Sequence, residues 1–284
     1  MKTTTVAIIG TGTMGCATAL DIAKNGHHVI LKGIDADVLA KAETTIRNEY
    51  RRTAMFNQAY LKVDLNTILG RITIQNNYDN VHDASIIIEN ITENIELKKA
   101  EYEKLRHVSD SETIFALNTS CISITKLAQF LPYPENVIGT HFMNPVPMKK
   151  MVEVIRGYHT SSETESNMIS FLESIQKEAV VIDDFPGFVS NRISHLLMNE
   201  AAYIVQDGIA EPHQVDKIMR DGFNQKMGPL ETADLIGLDT VKDSLEILYQ
   251  SYQDPKYRCS PLLSKMVDAN QLGRKSGKGF YDYT

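Results

Sequence analysis

Short apolar runs and amphipathic stretches alternate along the first half of the chain. Val6-Ala7-Ile8-Ile9 reads as a buried strand and Met14 to Asn25 as a helix. His28-Val29-Ile30-Leu31 reads as a second strand, and a long helical stretch follows from about Val38 to Tyr60. Ile72-Thr73-Ile74, Ser85-Ile86-Ile87-Ile88, Ile114-Phe115-Ala116-Leu117 and Val137-Ile138-Gly139 are further runs of strand type. Strands alternating with helices predict an α/β fold with a doubly wound parallel sheet. The pattern changes after Pro186-Gly187. From Phe188 to Gln206 apolar residues recur at helical spacing, and more helical stretches follow, broken at Gly222, Pro229, Gly237 and Pro255. The next run of strand type is Gly279-Phe280-Tyr281. The chain therefore reads as two domains, 1–185 and 186–284, the second all-helical. So few helices leave apolar faces uncovered, which points to a homodimer formed through the second domain.

Length agrees with two domains, since 284 residues is about twice the usual domain size. The balance of Lys+Arg 29 against Asp+Glu 36 gives a net charge of −7. A net acidic chain is a poor match for nucleic acid or an anionic membrane surface. No apolar run approaches the ~18 residues a membrane-spanning helix needs. Gly10 and Gly12 interrupt the apolar start of the chain, so it does not read as a signal peptide. Cys16, Cys121 and Cys259 lie far apart without CxxC spacing, which argues against a disulfide framework or a metal site and fits a reducing cytoplasm.

Gly10-Thr11-Gly12-Thr13-Met14-Gly15 is a GxGxxG turn between a predicted strand and a predicted helix. The first glycine permits the tight turn and the second lets the backbone approach a pyrophosphate. The third lets helix and strand pack closely, and the helix N-terminus faces the anion. Cys16, in the first helical turn, reads as a small packing residue. The residue ending the second strand ordinarily selects the cofactor, because an acid there bonds the ribose 2′-hydroxyl of NAD and repels a 2′-phosphate. Here Lys32 and Gly33 hold that position and Asp35 comes two residues later. Gly33 removes the repulsion and Lys32 offers a cation, which favours NADP over NAD. Asp35 is the residue that would restore NAD.

The densest polar constellation runs from Asn118 to Asn191. Asn118-Thr119-Ser120 follows one strand and His141-Phe142-Met143-Asn144-Pro145 ends another, so both sit where open α/β sheets bind ligands. Met151-Val152-Glu153-Val154-Ile155 puts a carboxylate inside an apolar strand, where a charge needs a partner. A buried Glu near a strand-end His is the pattern of an oriented general base. An ordinary structural His and a separately satisfied Glu is the competing reading.

Taken together, these segments resemble the 3-hydroxyacyl-CoA dehydrogenase family, closest to its bacterial 3-hydroxybutyryl-CoA members. The resemblance extends through Val152-Glu-Val-Ile-Arg-Gly, Pro186-Gly-Phe-Val-Ser-Asn-Arg, Met227-Gly-Pro-Leu-Glu, Ile236-Gly-Leu-Asp and the closing Leu272-Gly-Arg-Lys-Ser-Gly-Lys-Gly-Phe-Tyr. It implies a Rossmann-type amino domain, a helical carboxyl domain that dimerises, and hydride transfer between a nicotinamide and a 3-hydroxyacyl or 3-oxoacyl thioester. It also implies roles. His141 matches the catalytic base and Glu153 its carboxylate partner. Ser120 and Asn191 match residues that hydrogen-bond the substrate's oxygens, and Asn144 one that shapes the same site. Glu93 and Lys98 match positions near the nicotinamide, and Asn118 counts with the cofactor residues. His195, one turn beyond Asn191, reads as a packing or surface residue.

Between Arg47 and Ile72 the basic residues are few. Arg51, Arg52 and Lys62 are interleaved with Met55, Phe56 and Tyr60, whereas family members that take CoA often carry several lysines there. Acyl-CoA remains the expected substrate, and a thioester on an acyl carrier protein is the alternative. A non-catalytic cofactor-binding protein is the rival of another class. The joint presence of Ser120, His141, Glu153 and Asn191 speaks against it.

Overall fold

The structure, a computed structural model, describes residues 3–283. Contacts divide the chain into two compact units, one ending at Asp184 and the other beginning at Phe185. In the first unit a single sheet holds β1 (Thr5–Ile9), β2 (His28–Lys32), β3 (Ile72–Gln75), β4 (Ile86–Glu89), β5 (Ile114–Leu117), β6 (Val137–Phe142), β7 (Met151–Arg156) and β8 (Glu178–Asp183). Their order is β3-β2-β1-β4-β5-β6-β7-β8. The chain winds outward from β1 to β3, then returns to lay β4 against the other side of β1. That reversal is the switch point at which such sheets open a crevice beyond the strands' carboxyl ends.

Parallel pairing runs from β3 across to β6, as the alternation predicts, and β8 is parallel to β7. One pair departs from the all-parallel expectation: β7 runs antiparallel to β6. Residues 143–150 are too few for the dozen or more a parallel crossover needs, so the chain turns straight back. β8 is a strand the apolar pattern did not reveal. It lies at the sheet's edge, only half-buried, and its charged ends interrupt the run.

Helices α1 (Thr13–Lys24), α2 (Ala36–Phe56), α3 (Leu65–Leu69), α4 (Ile95–Leu105), α5 (Ile124–Ala128) and α6 (Ser162–Ser174) complete this unit. α2 starts where the Asp35 carboxylate accepts from Val38 N at 2.9 Å, an N-cap. Val6, Ile8, Leu20, Leu31, Ile46 and Ile88 belong to the core beneath the helices.

The second unit consists of α7 (Ser190–Gln206), α8 (Pro212–Phe223), α9 (Pro229–Ile236), α10 (Leu238–Tyr252) and α11 (Pro261–Asp268) with short connecting turns. Three of these start on proline, whose missing N–H costs nothing at a first helical position. The expected strand at Gly279-Phe280-Tyr281 is not formed. Isolated bridges join Gly273 to Lys278 and Lys278 to Asp282 instead. The backbone there is claimed by a buried carboxylate: Asp234 accepts from Phe280 N and Tyr281 N at 3.0 Å each. Asp216, fully buried, takes the Leu230 and Glu231 N–H groups and the Tyr281 hydroxyl. The Met227-Gly-Pro-Leu-Glu and Gly-Phe-Tyr segments thus close this unit on two aspartates. Ion pairs Arg274–Glu231 and Lys275–Asp239 hold the basic tail in place. Among the described residues no helix is long and apolar enough to cross a membrane.

Candidate active site

The glycine turn has the shape its spacing predicts. Gly10 has φ +114°, and a Cβ on it would meet Asn90 O at 2.5 Å. A Cβ on Gly15 would meet Gly10 O at 1.9 Å, so helix and turn touch through that glycine. Around Gly12 nothing lies within 4 Å of such an atom. The first turn of α1, with exposed Thr13, begins there without a side-chain cap, and Met14 packs against the core. Open space over Gly12 beside uncapped N–H groups is what a pyrophosphate requires. The turn lines a cavity of about 390 Å³ with Lys32, Gly33, Asn90 and Leu97. The residues present fit a dinucleotide.

Two expectations about the ribose end are corrected. Lys32 is no available cation: it is buried, and its Nζ donates to Glu101 Oε1 at 2.9 Å and to the Tyr78 hydroxyl at 3.1 Å. Asp35 caps α2 through Oδ1, and the residues lining this cavity are its neighbours Lys32, Gly33, Ile34 and Val38. Burial pushes the Cys16 thiol up to about 11, which suits the packing role read for it.

At the other end, the antiparallel register sets His141 directly opposite Glu153. Directly paired residues project to the same face. His141 Nδ1 donates to Glu153 Oε2 at 2.8 Å, with both side chains buried. The carboxylate fixes the proton on Nδ1, so Nε2 carries the exchangeable position. Ser120 Oγ stands 3.4 Å from that Nε2.

Ser120 is held from behind. Glu93 Oε1 accepts from Thr119 Oγ1 (2.6 Å) and from the backbone N–H groups of Ser120 (3.0 Å), Cys121 (2.8 Å) and Ile122 (3.2 Å). The carboxylate is therefore the hub of the loop after β5. Lys98, which the resemblance puts near the nicotinamide, is fully buried. Its Nζ bonds both oxygens of Glu89 and lies 3.8 Å from Glu93. Desolvation of that ammonium is offset mainly by those carboxylates, with the Ile91 carbonyl at 3.5 Å. Glu89, which also accepts from Ile91 N and the Tyr102 hydroxyl, escaped the sequence reading. Its signal was a carboxylate closing the run Ile86-Ile87-Ile88. Asn118 is a brace: its Oδ1 accepts from Phe142 N at 3.1 Å and its amide donates to Asn90.

Asn144 stands exposed beyond the end of β6, outside this network. Asn191 belongs to the second unit, in the first turn of α7, where its carbonyl accepts from His195 Nδ1 at 2.9 Å. His195 is buried, the packing residue expected. In the hairpin, Arg52 pairs with Glu49, Arg51 lies 3.5 Å from Asn48 Oδ1, and Lys62 is exposed.

Comparison with known proteins agrees with this geometry. Residues 5–185 match the model of the 3-hydroxyacyl-CoA dehydrogenase NAD binding domain, and residues 187–283 that of the 3-hydroxyacyl-CoA dehydrogenase C-terminal domain. The chain belongs to the 3-hydroxyacyl-CoA dehydrogenase family. It is 40% identical over 283 residues to a probable 3-hydroxybutyryl-CoA dehydrogenase of Bacillus subtilis, covering 100% of this chain and 98% of that one. It is 41% identical to a 3-hydroxybutyryl-CoA dehydrogenase of Clostridioides difficile, over 98% of this chain and 99% of the other. The crystal structure of (S)-3-hydroxybutyryl-CoA dehydrogenase from Ralstonia eutropha superposes with a TM-score of 0.90 at 37% identity, covering 100% of both chains. The carrier-protein alternative gains no support from these relatives.

Proposed function

We propose that the site exchanges hydride and a proton at C3 of a short-chain 3-hydroxyacyl-CoA, in the manner of a 3-hydroxybutyryl-CoA dehydrogenase. The observation that carries the reading is the buried cross-strand pair of His141 and Glu153 with Ser120 beside Nε2. His141 Nε2 takes the proton of the 3-hydroxyl in oxidation and returns it in reduction. Glu153 keeps the ring oriented and balances the imidazolium. Ser120, positioned by Glu93, hydrogen-bonds the substrate oxygen, and Asn144 and Asn191 complete substrate binding through their places in the family's motifs. A bound nicotinamide supplies the hydride chemistry. Gly10, Gly12, Thr13, Met14 and Gly15 hold its pyrophosphate, Lys32 and Gly33 border its adenosine end, and Asn118 and Lys98 brace the strand ends around it.

We further read residues 1–185 as the dinucleotide domain and 186–284 as the substrate and dimerisation domain. Exposed Ile193, Ile209, Ile218 and Phe223 on the second unit supply apolar area for a homodimer. Cys16, Cys121 and Cys259, far apart and without CxxC spacing, suit a reducing cytoplasm.

The test is reduction of acetoacetyl-CoA followed by nicotinamide absorbance, with NADH and NADPH in parallel. Turnover with at least one cofactor is expected. Failure with both overturns the reading.

A further inference from the structure

The cofactor cleft holds a charged cluster that the glycine turn and the proton-transfer pair do not use. The end of β2 offers Gly33 where an acid would ordinarily meet the ribose. A Cβ on Gly33 would come 2.7 Å from Leu39 Cδ2 and 3.0 Å from Thr11 Oγ1, so a side chain there requires those two to shift. A carboxylate nevertheless lines the same cavity. It comes from Glu101 on α4.

Glu101 is tightly held. Its Oε1 accepts from the Tyr78 hydroxyl at 2.5 Å and from Lys32 Nζ at 2.9 Å, while that ammonium lies 4.5 Å from the centre of the Tyr78 ring. Oε2 is left with Lys104 Nζ, at 3.4 Å on a side chain 58% exposed, a contact of little worth. Burial works to raise the Glu101 pKa, and the bonds from Tyr78 and Lys32 outweigh it and hold the carboxyl below its ordinary value. The group is therefore an anion at neutral pH with one oxygen fully engaged and the other available.

Resting on the reading of this cleft as the nicotinamide-dinucleotide site, we propose that Glu101 is the cofactor-selecting residue. Its carboxylate, held by Lys32 and Tyr78, replaces the acid that β2 lacks and makes the cleft one for NAD. A 2′-phosphate brought beside it meets a fixed negative charge, opposed by the solvent-screened ammonium of exposed Lys104 on the same cavity wall. To reach Lys32 it must also break a buried ion pair, which is costly in a desolvated site. The ribose 2′-hydroxyl meets an acceptor.

Fluorescence titration of NADH and NADPH, without thioester, reads this directly as dissociation constants. The wild type is expected to bind NADH about tenfold or more tighter than NADPH. Glu101→Gln is expected to weaken NADH and strengthen NADPH until the preference falls below about threefold. Glu101→Asp keeps the charge and is expected to keep NADPH weak. If Glu101→Gln does not fold because buried Lys32 loses its counter-charge, the double variant Lys32→Met with Glu101→Gln removes both charges and is expected to show the same collapse. Tighter binding of NADPH by the wild type, or a ratio unmoved by removing the carboxylate, overturns the proposal. Binding of neither nucleotide overturns the cofactor reading itself, and the proposal with it.

Discussion

Two buried glutamates each meet a nitrogen at nearly the same distance: Glu153 with His141 at 2.8 Å and Glu101 with Lys32 at 2.9 Å. The pairs arise differently. Glu153 and His141 are twelve residues apart on neighbouring strands, and the backbone ladder sets them face to face. Glu101 and Lys32 are 69 residues apart on a helix and a strand, and they meet only through long flexible side chains. The first pair inherits the precision of the sheet, which proton transfer needs, because a small misplacement of a base costs much of its rate. The second needs only to place a charge beside a bound nucleotide. The comparison separates a group that does chemistry from one that sorts ligands, and substitutions at each should leave different kinetic signatures.

The largest separation is expected at the histidine. His141→Gln keeps an amide near the ring position but cannot accept and return the proton. Its kcat should fall by roughly 10²–10⁴, the usual contribution of a positioned base. The dissociation constant for the nicotinamide cofactor, measured by fluorescence, should stay within about twofold. A variant that kept more than about a tenth of wild-type kcat would remove His141 from the chemistry. One that lost cofactor affinity in proportion would erase the distinction between the two pairs.

A smaller effect is expected at Glu93, which touches the chemistry only through the loop it holds. Glu93→Ala removes the oxygen that the Thr119 hydroxyl and three backbone N–H groups share. Leaving such donors unsatisfied costs about 1–3 kcal/mol each when buried. Ser120 should drift from His141, with kcat down by about 10–100-fold and KM little changed. Glu93→Gln retains a carbonyl oxygen for the same donors and should recover most of the loss. Equal damage from both variants would show that charge, not placement of the loop, is what Glu93 supplies.

The sequence carried the chemistry of one pair and misled about the other. The glycine turn, the strand-end His and the carboxylate inside an apolar strand are local signals; they leave a structural His and a separately satisfied Glu open, and it is the family resemblance that joins His141 to Glu153. Even there, the pairing depended on a feature the alternation rule hides. A parallel β7 would not have placed Glu153 opposite His141 as this register does, and only the shortness of residues 143–150 signals the reversal. Lys32 reads as a free cation because its partner lies 69 residues away, and Asp35 as a free acid because the pattern starts the helix only at about Val38. Their partners, Glu101 and the amide of Val38, follow from packing and from where α2 begins. Lys98 is placed only by the family resemblance, and its ion pair with Glu89 likewise follows from packing. In the second unit, Asp216 and Asp234 organise the Gly-Phe-Tyr segment that its apolar pattern alone presented as a strand.

The smallest effect concerns stability, and it tests whether the Lys32–Glu101 pair is a fixed part of the first unit. Removing one partner of a buried pair costs up to about 3–5 kcal/mol. Glu101→Gln should cost less than that at pH 7, because its amide oxygen still accepts from Tyr78 and Lys32. The cost should depend on pH in one direction. The folded protein holds the Glu101 carboxyl below its ordinary value of 4.5. A carboxyl depressed by folding contributes stability that is fully present above the unfolded value and is lost as pH falls through the folded one. Below that point the wild-type carboxyl is neutral and resembles the glutamine, so the stability gap between wild type and variant should close. Urea unfolding of both proteins from pH 7 down to the acid limit of folding measures that gap, and the other carboxylates, common to both, cancel. A gap that stays constant through this range would show that the Glu101 charge adds nothing to the folded state. The cluster's hold on the nucleotide cleft would then rest on hydrogen bonds alone.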